Sequence, residues 1–298
     1  MVNAGKRDRL WRSFAIATPY LWLLLFFLVP FAIVLKISFA DPLVAQPPFT
    51  PFFDWSASAG DKMLATLDNY RFLLEDKLYL VSYFKSIKIA LISTVLCLLL
   101  GFPMAYAIAR TPYPWRNLLL LLVILPFWTS FLLRVYAWMV MLGKQGLINH
   151  MLISIGVIDK PLQMLYTDGA VYLGIVYTYV PFMILPLYAT LERLNPDLHE
   201  AAADLGARPL QVFRDVTLPL AMPGIIAGCL LVFIPALGEY VIPALLGGLD
   251  SLMIGRTLYD EFFVNRDWPL ASAVAVVLLL ILILPIMLFQ RLQQEADA

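Results

Sequence analysis

Charge is what this chain has least of. Aspartate, glutamate, lysine and arginine make up 14% of its 298 residues, and the acids and bases cancel to a net charge of zero. A soluble domain carries roughly 25% charged residues. With 61% of the residues hydrophobic, a folded core could not hide so much apolar surface from water, so lipid is the expected solvent. Zero net charge also removes a whole-protein electrostatic case for nucleic acid. Cysteine is nearly absent too: Cys97 and Cys229 both lie inside apolar runs. Two isolated thiols build neither a disulfide framework nor a metal site. The two histidines, His150 and His199, fall in loops with no second ligand nearby in sequence. There is no GxxxxGK[ST] stretch for phosphate binding, no HExxH, no GxSxG and no pair of acids within one apolar run. A nucleotide-hydrolysing motor and an intramembrane enzyme are therefore both poor fits, and no cofactor is expected in this chain.

Long uncharged runs occupy residues 13–35, 89–109, 117–133, 169–191, 216–238 and 268–290. Most reach the ~20 residues needed to cross ~30 Å of hydrocarbon, and the third continues past Arg134. The fold expected is all-α and integral to the membrane, a single domain over 1–298. Its six spans are expected near 13–37, 87–109, 117–142, 169–191, 219–246 and 268–290. Lys6, Arg7, Arg9 and Arg12 precede the first run, which is longer than a signal-peptide core and lacks a small-residue cleavage site. The connection 110–116 holds two arginines and no acid. Both basic segments belong on the cytoplasmic side, which puts both termini and the loop 192–218 inside. Lys85 and Lys88, at the start of the second span, are expected to snorkel outward.

That loop carries the densest signal. In YATLERLNPDLHEAAADLGARPLQVFRDVTLPLAMP, covering 188–223, Asn195 can cap a helix, with Pro196 in its first turn and Asp197 and Glu200 near its positive end. Leu198, Ala201, Ala202 and Leu205 recur at helical spacing, and Gly206 is a natural stop. Pro209 opens a second short helix with Leu210, Val212, Phe213 and Val216 as its apolar residues. Two short helices are expected, over 196–205 and 209–216. Physics alone leaves two roles open, docking to another protein and lying flat on lipid.

The order Glu200-Ala201-Ala202, three residues, Gly206, nine residues, then Val216-x-Leu218-Pro219 resembles the loop signature of permease subunits in binding-protein-dependent ABC importers. The resemblance implies a type I ABC importer permease fold in a bacterial inner membrane. It implies that the loop is a coupling helix seated on a separate pair of ATP-binding subunits, where ATP and magnesium are held. Glu200, Ala201, Ala202 and Gly206 would form the docking core beside Leu205, with Asp204, Arg208 and Arg214 as flanking charges. Two further stretches resemble the first permease of putrescine and spermidine importers. One is Pro126-Phe-Trp-Thr-Ser-Phe-Leu-Leu-Arg-Val-Tyr-Ala-Trp-Met-Val with Gly146-Leu-Ile-Asn149; the other is Phe233-Ile-Pro-Ala-Leu-Gly-Glu-Tyr-Val-Ile-Pro-Ala-Leu-Leu-Gly-Gly248. These imply a second permease, a periplasmic solute-binding protein and a polyamine substrate. Permeases for thiamine, ferric iron or sulfate share parts of the pattern. A secondary carrier would fit six spans but leaves the loop signature without a purpose.

Glu239 is the only acid inside an apolar run. Such a group faces a cavity or a partner. One reading pairs it with Arg134, which lies about as far along the third span as Glu239 does along the fifth. A second has it meet an organic cation, with Tyr136, Trp138 and Tyr240 supplying ring faces, and a third leaves it as an interfacial acid near water. Interfacial packing is the blander role for these rings, as for Tyr177, Tyr179 and Tyr188.

Overall fold

A computed structural model describes residues 15–51, 66–248 and 250–296, with side chains described as far as 287 and at 291. The basic tail and part of the long outer loop lie outside these residues. Among the described residues no strand forms, and one isolated bridge joins Pro42 and Phe49. Six helices are long and apolar enough to cross a membrane: Ala15–Ile37, Lys77–Arg110, Phe131–Ser154, Asp168–Leu191, Pro209–Leu237 and Trp268–Met287. Contacts divide the chain into two compact units, Met1–Asp76 with Leu258–Leu280, and Lys77–Thr257 with Ile281–Ala298.

In the first unit, α1 (Ala15–Ile37) is apolar on every face and exposes nearly all of its side chains, as a helix bathed in lipid does. Its end is pinned by α2 (Asp68–Glu75). The buried Asn69 amide donates to the carbonyls of Ser38 at 3.0 Å and Ala40 at 2.8 Å, and the Tyr70 hydroxyl lies 2.7 Å from Ser38 Oγ. Phe262 stacks on Trp268 with ring centroids 5.0 Å apart. Asp267 caps the last long helix by accepting the Leu270 N–H at 3.0 Å.

In the second unit, α3 (Lys77–Arg110), α7 (Asp168–Leu191) and the later α10 (Leu218–Leu237) pack on one another. Cys97, Ala105, Met183, Ile184, Leu187, Ala221 and Val232 form their buried core. Met183 sits between two glycines: a Cβ on Gly101 would lie 2.9 Å from its Cγ, and one on Gly228 would lie 2.7 Å from its Sδ. Small residues allow this close approach where lipid offers no hydrophobic drive to association. Lys85, on α3, does not reach outward to solvent alone; its ammonium donates to the Asp250 carbonyl.

Three boundaries differ from the sequence expectation. The second span begins at Lys77 rather than near 87, and the polar Ser82 and Ser86 in its added turns are buried. The expected third span, 117–142, is interrupted. Helix α4 (Trp115–Ile124) tightens into a 3-10 turn over Leu125–Trp128, and α5 (Phe131–Leu142) begins afresh. Pro126 opens that turn, and Thr129 closes it by bonding the Pro126 carbonyl through both its N–H at 3.2 Å and its hydroxyl at 2.8 Å. The apolar stretch of spanning length is then Phe131–Ser154, which takes in α6 (Leu147–Ser154). The fifth span stops at Leu237 and resumes as α11 (Val241–Leu246).

Candidate functional site

Two segments of the second unit hold most of the residues singled out above, and α5 carries Arg134, Tyr136 and Trp138. In the first, α8 (Asp197–Asp204) follows α7 in the loop. The Asn195 side chain accepts the Asp197 N–H at 3.1 Å, so it caps the first turn as its type predicts. The helix ends on Gly206, whose φ of +82° places it in the left-handed region. The Gly206 N–H bonds the Ala203 carbonyl at 2.9 Å and the Ala207 N–H bonds the Ala202 carbonyl at 3.1 Å, which together make the Schellman closure. No atom lies within 4 Å of a Cβ built on Gly206, so the backbone angle, and not crowding, demands glycine here.

The face of α8 is open. Leu205 is 90% exposed and Leu210, just beyond it, 77%, while Glu200, Ala201, Asp204 and Arg208 are exposed beside them. Glu200, Asp204 and Arg208 make no ion pair among the described residues; Arg214 pairs with its neighbour Asp215 at 2.7 Å. The second expected helix is not a separate one. A short α9 (Pro209–Val212) runs through a π-turn, Phe213–Thr217, directly into α10. Pro219 lacks the N–H that would reach back to this turn, and the wider π spacing accommodates the gap.

At the neighbouring span ends, Arg116 forms an ion pair with Glu192. The Glu192 carboxyl is held below its ordinary range, by a hydrogen bond from the Tyr188 hydroxyl first and by Arg116 next.

The second segment is the break after α10. Glu239 is 8% exposed. One of its carboxylate oxygens accepts the N–H groups of Val241 at 3.0 Å and Ile242 at 3.4 Å; the other accepts the Tyr179 hydroxyl at 2.5 Å. The carboxylate thus caps the positive end of α11 and ties it to α7. The start of α12 (Ile254–Tyr259) crosses the break closely. A Cβ on Gly255 would lie 2.3 Å from the Gly238 carbonyl oxygen and 2.8 Å from that of Glu239, so nothing larger fits.

The ion pair between Glu239 and Arg134 is not formed. The Arg134 guanidinium lies over the rings of Phe127 at 5.6 Å and Phe131 at 5.9 Å, and its Nε is buried without a partner. The Trp138 ring meets Tyr177 edge-on at 5.4 Å, on the far face of α7 from Tyr179. Tyr136 and Tyr240 are exposed. α11 packs against both α5 and α7, so the helix that Glu239 caps touches the helix carrying Arg134, Tyr136 and Trp138. Tyr179 is the partner that sequence reasoning passed over, since nothing in the local pattern links residues 60 positions apart.

Comparison with known proteins supplies the frame for both segments. The chain is 41% identical over 270 residues, 91% of its length and 93% of the relative's, to the spermidine/putrescine transport system permease protein PotB of Escherichia coli (strain K12). It is 40% identical to the protein of that name in Haemophilus influenzae, with 94% of this chain and 93% of the relative covered. A crystal structure of a bacterial alginate ABC transporter, in complex with an alginate pentasaccharide-bound periplasmic protein, contains a chain of the same fold. Its TM-score is 0.69 at 20% identity, covering 99% of this chain and 98% of that one. Residues 97–295 match the family of binding-protein-dependent transport system inner membrane components, and this chain belongs to that family.

Proposed function

We propose that this chain is one of two membrane-spanning subunits of an ATP-driven importer of polyamines, putrescine or spermidine. The observation that carries the proposal is α8: an exposed apolar and charged face, ended by a left-handed glycine, at the position where the sequence matches the loop signature of these permeases. A free helix on a soluble surface would bury Leu205 and Leu210. Here they stand outward, with Glu200, Asp204 and Arg208 free to pair with another chain. The partner is a pair of separate ATP-hydrolysing subunits, which makes this chain the non-catalytic half of the machine. A second, homologous permease completes the pore, and a periplasmic solute-binding protein delivers the substrate. Both termini and α8 face the cytoplasm of a bacterial inner membrane.

The polyamine assignment draws on what the PotB relatives are named for, and on Glu239. A substrate with ammonium groups can replace the Tyr179 hydroxyl on one carboxylate oxygen while the other keeps its hold on α11. Tyr240, Tyr136 and Trp138 supply aromatic faces along the path, and Arg134 stands beside it as a charge that keeps cations to one side. Uptake of labelled putrescine and spermidine into cells lacking this gene tests the assignment. Loss of uptake, restored by the gene, is expected; unchanged uptake in a strain without another polyamine importer would overturn it.

A further inference from the structure

Among the described residues, three buried side-chain atoms have no hydrogen-bond partner: Ser93 Oγ, Arg134 Nε and His199 Nδ1. His199 sits in the middle of α8, and its other ring nitrogen is crowded with partners. Nε2 lies 3.1 Å from Arg110 Nη2 and 3.0 Å from Thr217 Oγ1. A guanidinium only donates, so Nε2 must accept, and the ring hydrogen stands on Nδ1. Arg110 is the last residue of α3, and its guanidinium is already placed over the Tyr106 ring at 5.3 Å. Thr217, 1% exposed, is the last residue of the turn that enters α10. One imidazole therefore joins α8 to the ends of two spanning helices. It does so while leaving its own Nδ1–H buried and unmatched, an arrangement that packing alone does not require.

We infer that His199 is a positioning residue that transmits the movement of α8 to α3 and α10, through the single Nε2 lone pair that Arg110 and Thr217 share as donors. This rests on the reading of α8 as the segment docked on the ATPase. Without the latch α8 can still dock, but its displacement is not passed to the ends of α3 and α10.

The test uses the complete importer in proteoliposomes, with both permeases, the ATPase subunits and the binding protein. Two quantities are read: polyamine taken up per ATP hydrolysed, and the stimulation of hydrolysis by the loaded binding protein. His199→Leu is expected to lower both about five- to tenfold while the ATPase subunits stay bound. His199→Gln offers an amide oxygen to the same two donors and should recover at least half of the loss. Thr217→Val, which keeps the shape and removes one donor, should fall between. Wild-type values in His199→Leu would overturn the proposal, as would a Gln variant no better than Leu. Dissociation of the ATPase subunits from both variants would overturn it too, since His199 would then serve docking. A wild-type complex that responds to its binding protein yet imports no polyamine would overturn the substrate assignment instead, and the stimulation of hydrolysis would still judge the latch.

Discussion

At the break in the fifth span, Glu239 accepts three hydrogen bonds from its own chain, while Glu200 and Asp204 on α8 and Arg208 just beyond it form no ion pair among the described residues. Both segments carry carboxylates near a helix N-terminus. They differ in what surrounds them. In lipid an unmatched carboxylate is costly, so the chain must complete its bonding internally. In water the cost is small, and a surface can leave its polar and apolar groups open for a partner to complete. Internal completion thus marks a joint within the subunit, and on the proposed reading the open valence of α8 marks a joint between subunits.

Substitution at Gly206 should break this contrast most sharply. Gly206→Val forces a β-branched residue into the left-handed region at a cost of roughly 1–3 kcal/mol, which is expected to lower ATP-driven uptake about tenfold or more. Membrane insertion should be unchanged, as measured by the amount of protein in the membrane fraction. Next comes Glu239. Glu239→Gln retains an oxygen for the α11 N–H groups and removes the charge; uptake should fall about tenfold with normal assembly, because a cationic substrate loses about one charged contact. If assembly collapses while the residual transporter works normally, Glu239 is a brace only. Tyr179→Phe should be milder. Removing one of three donors costs about 1 kcal/mol, visible as a lower unfolding temperature in detergent, with modestly reduced uptake.

The smallest effect belongs to Glu192. Its folded carboxyl titrates below the ordinary range, held there by Tyr188 and Arg116. A depressed carboxyl contributes stability that is present above the unfolded value, about 4.3, and is lost as pH falls through the folded one. Glu192→Gln should therefore lower stability slightly at neutral pH, and the two proteins should converge as pH falls through the folded value, which flattens the acid side of the stability-versus-pH curve. High salt should shrink the difference between the two proteins.

The six spans and the loop helix were legible in the sequence because they follow local rules: apolar length, capping by Asn195, a stop at Gly206. The interruption at Thr129 was less so. Pro126 signalled a kink, but which turn would absorb it depended on Thr129 bonding back through two groups. The partners of Glu239 and His199 were not legible at all. Matched depth along two spans pointed from Glu239 to Arg134. Depth fixes height and says nothing of azimuth: α7 presents Tyr179 to Glu239, and Arg134 lies over Phe127 and Phe131. His199 read as an isolated loop histidine because Arg110 and Thr217 are 89 and 18 positions away. Local pattern sets where a helix begins and ends; the meeting of distant side chains is decided by how the helices rotate as they pack.

The stretch from Pro209 to Leu237 is helical without interruption, 29 residues joined across a π-turn. At ~1.5 Å per residue it makes a lever arm about 43 Å long. One end stands beside the loop glycine, and the other stops two residues short of Glu239. A tilt of about 10° at the loop would sweep the far end through about 7 Å, more than a full helical turn. The stroke of a motor outside the membrane would then arrive, amplified, at the carboxylate that caps α11.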